Sequence, residues 1–222
     1  FLERTEGWVA GMKLAALAIA ENGKSPEVIH AIRGNHRHMV DYLAEEVLLQ
    51  QPEHVQEFLL QTSVLDRMNA DVCNRLTGRR DGQELLRWLE THNLFLIALD
   101  QERGWYRYHG LFGDFLRERQ RARDPELAAQ CHLAAAAWLE EGGDYPAAIR
   151  HLLEAGFHEE AGRLVGFAAP HFLKNGESAT LLHLLSRLPM PLVHSVPRLA
   201  VAYAWALVYA GRMGEVRAVL RK

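Results

Sequence analysis

Apolar residues recur at helical spacing through the first quarter of the chain. In the first helix, which ends at Asn22, they lie three or four residues apart on one face: Trp8, Met12, Ala16 and Ile19. Further helices with the same spacing begin at Pro26 and near His36, and Pro52 opens another. We therefore predict a region of consecutive helices at residues 1–51.

The middle of the chain carries the only strand pattern in the sequence. Apolar and aromatic runs occupy residues 95–99 and 105–108, and the segment of five residues between them ends in Gly104. Two such runs joined by a connection of this length predict a β-hairpin.

Two helices lead up to this hairpin. The first is predicted between Asn69, a favoured cap, and Gly78, a favoured terminator. The second opens at Asp81, which together with Glu84 has the acid-x-x-Glu form of a capping box. Helices followed by a two-stranded hairpin are typical of a winged helix, which we place at residues 52–123.

The last part of the chain is predicted to be helical throughout. Three glycine-containing turns start at Gly143, Gly176 and Gly211, which are 33 and 35 residues apart. This interval matches a repeat of helix pairs of about 34 residues. We predict a divergent tetratricopeptide-like (TPR-like) solenoid at residues 124–222, truncated in its last repeat.

Composition and charge narrow the classes of function. Lys and Arg total 25 against 28 Asp and Glu, a net charge of −3, which argues against a chain that coats nucleic acid or an anionic membrane. The apolar run at residues 9–20 contains Lys13 and is too short to span a bilayer. Cys73 and Cys131 lack the spacing of a disulfide framework or a zinc site. We expect a cytoplasmic protein with no membrane contact.

Catalytic signatures are absent from the sequence. It contains no phosphate-binding loop of the form GxxxxGK[ST], no GxGxxG, no GxSxG and no HExxH. Its 12 histidines are not spaced as metal ligands; His36 and His38, for example, face different ways on a helix. We expect neither an enzyme nor a metal site.

A winged helix raises the question of DNA binding. The candidate recognition helix at residues 82–92 presents Arg87 but also Glu84 and Glu90, and carboxylates oppose the phosphate backbone. For this module a contact with protein or nucleotide is favoured over DNA, and DNA binding stays open as the lesser alternative.

His109 stands at the junction of the second strand and the following helix. Such a junction can direct an imidazole and backbone N–H donors at an anion. The same position also suits a helix-capping histidine buried by its aromatic neighbours. Spacing alone favours the buried capping histidine and leaves the anion contact open.

Four ordered motifs resemble those of the MalT-type large LuxR-family transcriptional activators. They lie at residues 5–17, 58–67, 93–96 and 105–112 and read TEGWVAGMKLAAL, FLLQTSVLDR, NLFL and WYRYHGLF. Members of that family are signal-transduction ATPases with numerous domains. The resemblance implies an N-terminal nucleotide-binding domain, a helical arm, a winged helix, a TPR-like sensor superhelix and a C-terminal helix-turn-helix that binds promoters.

By that resemblance the chain is a piece of such a protein, from the arm to the start of the sensor. In the intact protein ATP or ADP would be the cofactor, His109 would sense its phosphates, and Lys13 would lie at the nucleotide; no nucleotide is expected in the isolated piece. The partners implied are the nucleotide-binding domain of the same parent chain and, at the helical repeats, a small-molecule inducer or a regulatory protein. DNA would be contacted only through a missing C-terminal domain.

These observations predict a mainly α fold. A helical arm and a winged helix with a two-stranded β-hairpin precede an α-helical-hairpin solenoid. The predicted function is regulatory, since the segment would link nucleotide state to effector sensing without catalysing a reaction. A TPR-like protein-interaction scaffold is the alternative, and a DNA-binding winged helix is the less favoured one.

Overall fold

The computed structural model describes residues 47–220. The chain divides into two compact units between Pro125 and Glu126. Lys13 and most of the predicted arm at residues 1–51 lie outside the described residues.

The first unit combines helices with one small antiparallel hairpin. Its elements are α1 (Glu53–Thr62), α2 (Ala70–Thr77), α3 (Gly82–Thr91), β1 (Leu96–Ala98), β2 (Tyr106–Tyr108) and α4 (Gly110–Arg123). Helix α1 packs against α2 and α4, α2 packs against α3, and α3 packs against β1. This order of helices and hairpin is the one that the hydrophobic pattern predicts.

The two ends of α2 are set by local contacts. Asn69 Oδ1 accepts a hydrogen bond from the N–H of Val72 at 3.0 Å. Gly78 ends the helix with a φ of 68°, in the left-handed region that favours glycine. Both predicted boundaries are confirmed.

The start of α3 corrects one local prediction. Asp81 precedes the helix as expected, but its side chain makes no capping hydrogen bond. Instead, Arg79 donates to both oxygens of this carboxylate, at 2.7 and 2.6 Å. Asn74 Oδ1 accepts from the N–H of Gly82 at 2.9 Å. The predicted capping box is wrong because the Asp81 carboxylate accepts two hydrogen bonds from the Arg79 guanidinium instead.

The hairpin pairs in a single register, with Ile97 opposite Arg107. It is extended by one residue from an earlier part of the chain. Met68 and Tyr106 exchange two backbone hydrogen bonds of 2.8 Å. The hairpin is thereby joined to the segment between α1 and α2, a contact that sequence pattern does not indicate.

The connection within the hairpin is held by Asp100. Its carboxylate accepts hydrogen bonds from the N–H groups of Gly104 and Trp105, at 2.8 and 2.9 Å. The left-handed residue of the connection is Arg103, with φ at 54°. A short polar side chain that bonds to its own turn stabilises such a connection.

The core of the first unit is drawn from its helices, the segment between α1 and α2, and strand β2. Its largest fully buried side chains are Phe58, Leu59, Met68, Leu86, Leu89, Tyr106, Phe112 and Leu116. Burial of side chains of this size is the main stabilising contribution to a domain of this kind.

The second unit is helical throughout its described part. Its elements are α5 (Pro125–Glu141), α6 (Tyr145–Glu154), α7 (His158–Lys174), α8 (Ser178–Ser186), α9 (Met190–Ser195), α10 (Pro197–Tyr209) and α11 (Met213–Leu220). Helix α6 packs against α7, α7 packs against α8 and α10, and α10 packs against α11. With the hairpin of the first unit, this confirms the predicted mainly α fold.

The three periodic glycines occupy equivalent turns. Gly143, Gly176 and Gly211 follow α5, α7 and α10 with φ values of 77°, 75° and 73°. In each turn the next residue donates a backbone hydrogen bond into the preceding helix, at 2.8–2.9 Å. These are the helix-ending turns that a left-handed glycine allows, as the period predicts.

The core of the second unit runs through the interior faces of α6, α7, α8 and α10. It includes Phe172, Leu181, Leu185 and Ala206, all fully buried. Helix α7 also contains Pro170, which has no N–H group and so cannot donate to the carbonyl of Gly166, one turn earlier.

Two buried histidines meet between α5 and α6. Nδ1 of His132 lies 2.9 Å from Nδ1 of His151, and the two residues are 7% and 4% exposed. In a hydrogen bond between two imidazole nitrogens one ring must donate and the other must accept. The pair therefore joins the two helices through a single shared proton.

Candidate functional site

His109 lies where β2 ends and α4 begins. Its backbone is extended, with φ at −57° and ψ at 136°, and the residue is 6% exposed. Its N–H donates to the carbonyl of Phe95 at 2.7 Å, and its own carbonyl accepts from Gly113 at 2.9 Å. The start of the hairpin and the first turn of α4 are thus fixed to the same residue.

The side chain of His109 makes no capping hydrogen bond to α4. The interpretation of His109 as a buried capping histidine is confirmed in its position and burial, since His109 is the N-cap residue of α4, but its imidazole supplies no capping hydrogen bond. The anion contact stays a prediction. The position is one that the local pattern identified correctly as a strand-to-helix junction, because aromatic strand residues change there to a glycine-rich helix start.

An aromatic cluster surrounds the junction. The ring centroids of Phe95 and Phe112 are 5.0 Å apart, those of Tyr108 and Phe112 are 5.9 Å apart, and those of Phe112 and Phe115 are 6.3 Å apart. Contacts of this kind add to the energy of burial. The cluster fixes the backbone on both sides of His109.

The first turns of α4 are also fastened to the end of α1. Arg117 donates to the carbonyl of Ser63 at 3.1 Å and pairs with Asp114 at 2.5 Å. A side chain at Gly113 would place its Cβ 3.4 Å from both Arg117 and Tyr108. The close approach of these groups leaves little freedom at this end of α4.

Tyr108, the residue before His109, belongs to a buried pair of hydroxyl groups. The hydroxyl oxygens of Thr62 and Tyr108 are 2.6 Å apart, and Thr62 also donates to the carbonyl of Phe58 at 2.6 Å. Burial raises the pKa of Tyr108 well above its ordinary value, and the hydrogen bond with Thr62 acts in the opposite direction. The pair satisfies two polar groups inside the core, where unsatisfied ones are costly.

The junction combines an imidazole with the N-terminus of a helix. An imidazole stands at the N-terminus of α4, a helix of 14 residues, whose first N–H groups and positive dipole end favour an anion. Arg107 lies two residues earlier on the same strand, and alternation along an extended chain places it on the same side as His109.

The helix weighed for DNA readout carries mixed charge. Glu90 of α3 pairs with Arg103 of the hairpin at 3.3 Å, and Glu84 lies in its first turn. Arg79, just before α3, is paired with Asp81. No uninterrupted basic face is formed by these residues.

A second feature was not found from the sequence. An apolar groove of about 320 Å³ lies in the second unit between α7 and α10. Its lining includes Pro170 and Leu173 from α7 and Arg198, Val201 and Trp205 from α10. Spacings of three and four residues on α10 place the last three on one helix face, which is the signal that could have found it.

The remaining candidate chemistry is sparse in the described part of the chain. Cys73 and Cys131 are buried and form no disulfide, and burial raises the pKa of Cys73. Within residues 47–220, no group of three or more His, Cys, Asp or Glu side chains could hold a metal ion. Over the same range, every helix is too short or too polar to cross a membrane.

Comparison with known families identifies the first unit. Residues 44–128 match the family described as the MalT winged helix domain. This range contains the hairpin, His109 and the aromatic cluster, and the predicted range of 52–123 lies within it. The class of protein is therefore one that carries a MalT-type winged helix.

Relatives extend this similarity to nearly the whole chain. An HTH-type transcriptional regulator MalT from Vibrio parahaemolyticus is 32% identical over 98% of the chain, and the regulators of the same name from Yersinia pestis and Yersinia pseudotuberculosis are 37% identical over 99%. Over nearly its whole length the chain is therefore similar to part of these MalT-type regulators. It spans about a quarter of the length of these relatives, 24–25%.

Proposed function

We propose that this chain is the regulatory, signal-coupling segment of a bacterial, ATP-dependent transcriptional regulator of the MalT type. The winged helix would report the nucleotide state of a nucleotide-binding domain in the same parent chain. The helical pairs would receive the effector, a small-molecule inducer or a regulatory protein. DNA would be bound by another domain of the parent, and the segment itself would act in the cytoplasm without catalysis.

The observation that supports this proposal most directly is the position of His109. It is buried at the N-terminus of α4, its side chain does not cap that helix, and its backbone joins the helix to the hairpin. A phosphate held by the imidazole would therefore bias the position of α4 relative to the hairpin. Release of that phosphate would be the step that an effector promotes.

The test is made in the full-length parent protein. We expect His109→Ala to activate transcription without inducer and to reduce the ADP retained after purification, because the contact that stabilises the resting state is lost. Transcription in vitro and the nucleotide content of the purified protein measure these effects. His92→Ala is a matched control, since His92 is exposed at the end of α3.

His109→Gln guards against a folding defect, because glutamine keeps a polar side chain of similar reach at the junction. Circular dichroism of each variant checks that it is folded. Unchanged inducer dependence together with unchanged ADP content in both folded variants would contradict the role proposed for His109.

A protein-interaction scaffold is the second candidate. It is favoured by one observation, the apolar side chains left exposed on α7 and α10, of which Phe167, Val201 and Trp205 are more than half exposed. A stable complex that forms through this face and is independent of nucleotide would support it.

A further inference from the structure

The groove between α7 and α10 is lined by both small and large apolar residues. Gly166, Ala169 and Ala202 are small, whereas Leu173 and Trp205 are large. Small residues let an apolar body approach the backbone of both helices. The volume of the groove, about 320 Å³, lies at the lower end of the range of about 300–1,000 Å³ found for ligand sites.

Helix α10 has a second apolar face in addition to its core face. Leu199, Ala202 and Ala206 are buried, whereas Val201 and Trp205 are 51% and 52% exposed. An indole half exposed beside a valine leaves a contiguous apolar surface in water, which marks binding sites more often than isolated apolar residues do.

The charge at one end of the groove is not explained by the stability of the helix. Arg198 lies in the first turn of α10 and, among the described residues that line the groove, is the only charged one. Cations are disfavoured at the positive end of a helix. Among residues 47–220, no acidic side chain pairs with it. Within this described part of the chain, nothing neutralises the guanidinium, so it can pair with the anionic group of a ligand.

We propose that this groove binds a small amphiphilic organic anion. Its planar or branched apolar body would lie against Trp205, Val201 and Leu173, and its single carboxylate or sulfonate group would face Arg198. A small molecule is favoured over a protein partner because the site is short and carries one charge, whereas stable protein interfaces bury about 800 Å² on each side. The identification of this ligand as the effector rests on the proposed function. The prediction that the groove binds such a ligand does not.

Two dyes with the same aromatic body test the charge requirement on the 222-residue chain. The probe is 8-anilino-1-naphthalenesulfonate, and N-phenyl-1-naphthylamine is its counterpart without the sulfonate. Fluorescence titration should give one site at which the anionic dye binds more tightly than the neutral dye. We expect Arg198→Gln to weaken the anionic dye about three- to tenfold and to leave the neutral dye unchanged.

Two matched controls accompany these measurements. Arg217→Gln removes an equal charge from an exposed arginine on α11, outside the groove, and should leave both dyes unchanged. Trp205→Ala removes the largest apolar side chain that lines the groove and should lower the affinity for both dyes about equally. Leu133→Ala removes an exposed apolar side chain on α5 and should weaken neither.

Several outcomes would overturn the proposal. Equal affinity for the two dyes in the unsubstituted chain, or equal effects of Arg198→Gln and Arg217→Gln, would show that the charge plays no part. If Trp205→Ala leaves the affinity for both dyes unchanged, the dyes bind elsewhere. If the chain sediments as a dimer and Trp205→Ala converts it to a monomer, this face is an interface between two copies of the chain. None of these measurements involves nucleotide or His109, so their failure is distinguishable from failure of the proposed function.

Discussion

The two units differ in how far their candidate functional side chains are exposed to solvent. The first buries His109 at a junction where backbone hydrogen bonds and an aromatic cluster fix every neighbouring segment. The second leaves an indole, a valine and a guanidinium on the open side of two packed helices. Rigid placement suits a group that must keep one geometry against an internal partner, and exposure suits a surface that meets a ligand from solution.

The sharpest test of this contrast lies within a single helix of the second unit. Phe172 is fully buried and Phe167, five residues earlier on α7, is 59% exposed. We expect Phe172→Ala to lower the free energy of unfolding by about 3–5 kcal/mol, because it removes a core ring and leaves a cavity. Phe167→Ala should change it by less than about 0.5 kcal/mol. Urea denaturation measures both, and similar losses would mean that the exposed face is part of the core.

A smaller effect is expected at the buried hydroxyl pair of the first unit. Thr62→Val leaves the hydroxyl of Tyr108 without its partner and should cost about 1–3 kcal/mol. In the double variant with Tyr108→Phe, the loss should be less than the sum of the two single losses, since both remove the same hydrogen bond. Additive losses in chemical denaturation would show that the hydroxyls act independently.

The same pair gives a dependence on pH with a definite sign. Because burial raises the pKa of Tyr108, the folded state keeps this phenol neutral while the unfolded state ionises near its ordinary pKa of about 10. Its contribution is therefore fully present below about pH 10 and is lost as the pH rises further. Tyr108→Phe should flatten this part of the stability curve, and an unaltered alkaline decline would contradict it.

The smallest effect is expected at two adjacent glycines between α5 and α6. Gly143 has a φ of 77°, whereas Gly142 has no positive φ. Gly143→Ala should cost about 1 kcal/mol, because an L side chain is strained in that region. Gly142→Ala should be neutral or stabilising by up to about 1 kcal/mol, since its Cβ would make only ordinary contacts. Equal changes in melting temperature for the two variants would show that the left-handed conformation of Gly143 does not matter for the stability of this turn.

Features governed by neighbours in sequence could be predicted. The cap at Asn69, the terminator at Gly78 and the periodic glycine turns follow from local backbone chemistry. The strand-to-helix junction at His109 was also visible, because aromatic alternation stops there. The resemblance to MalT-type proteins followed from motifs in a fixed order, and the comparisons confirm it.

Features governed by distant contacts could not be predicted. The bridge between Met68 and Tyr106 spans 38 positions, and no local pattern announces it. One local feature also escaped prediction, since Asp81 has the form of a cap but its carboxylate accepts hydrogen bonds from Arg79, two residues earlier. The groove depends on α7 and α10 lying side by side, so Arg198 and Trp205 acquire meaning only in the folded unit.

The shared proton between His132 and His151 gives the second unit a spectroscopic reporter. An imidazole N–H held in a buried hydrogen bond exchanges slowly with solvent, so its proton resonance should be visible in water, downfield of the amide signals. Its intensity reports whether the hydrogen bond between the two rings is formed, without any added label. The position of that single resonance could therefore be followed during a ligand titration while the groove between α7 and α10 fills.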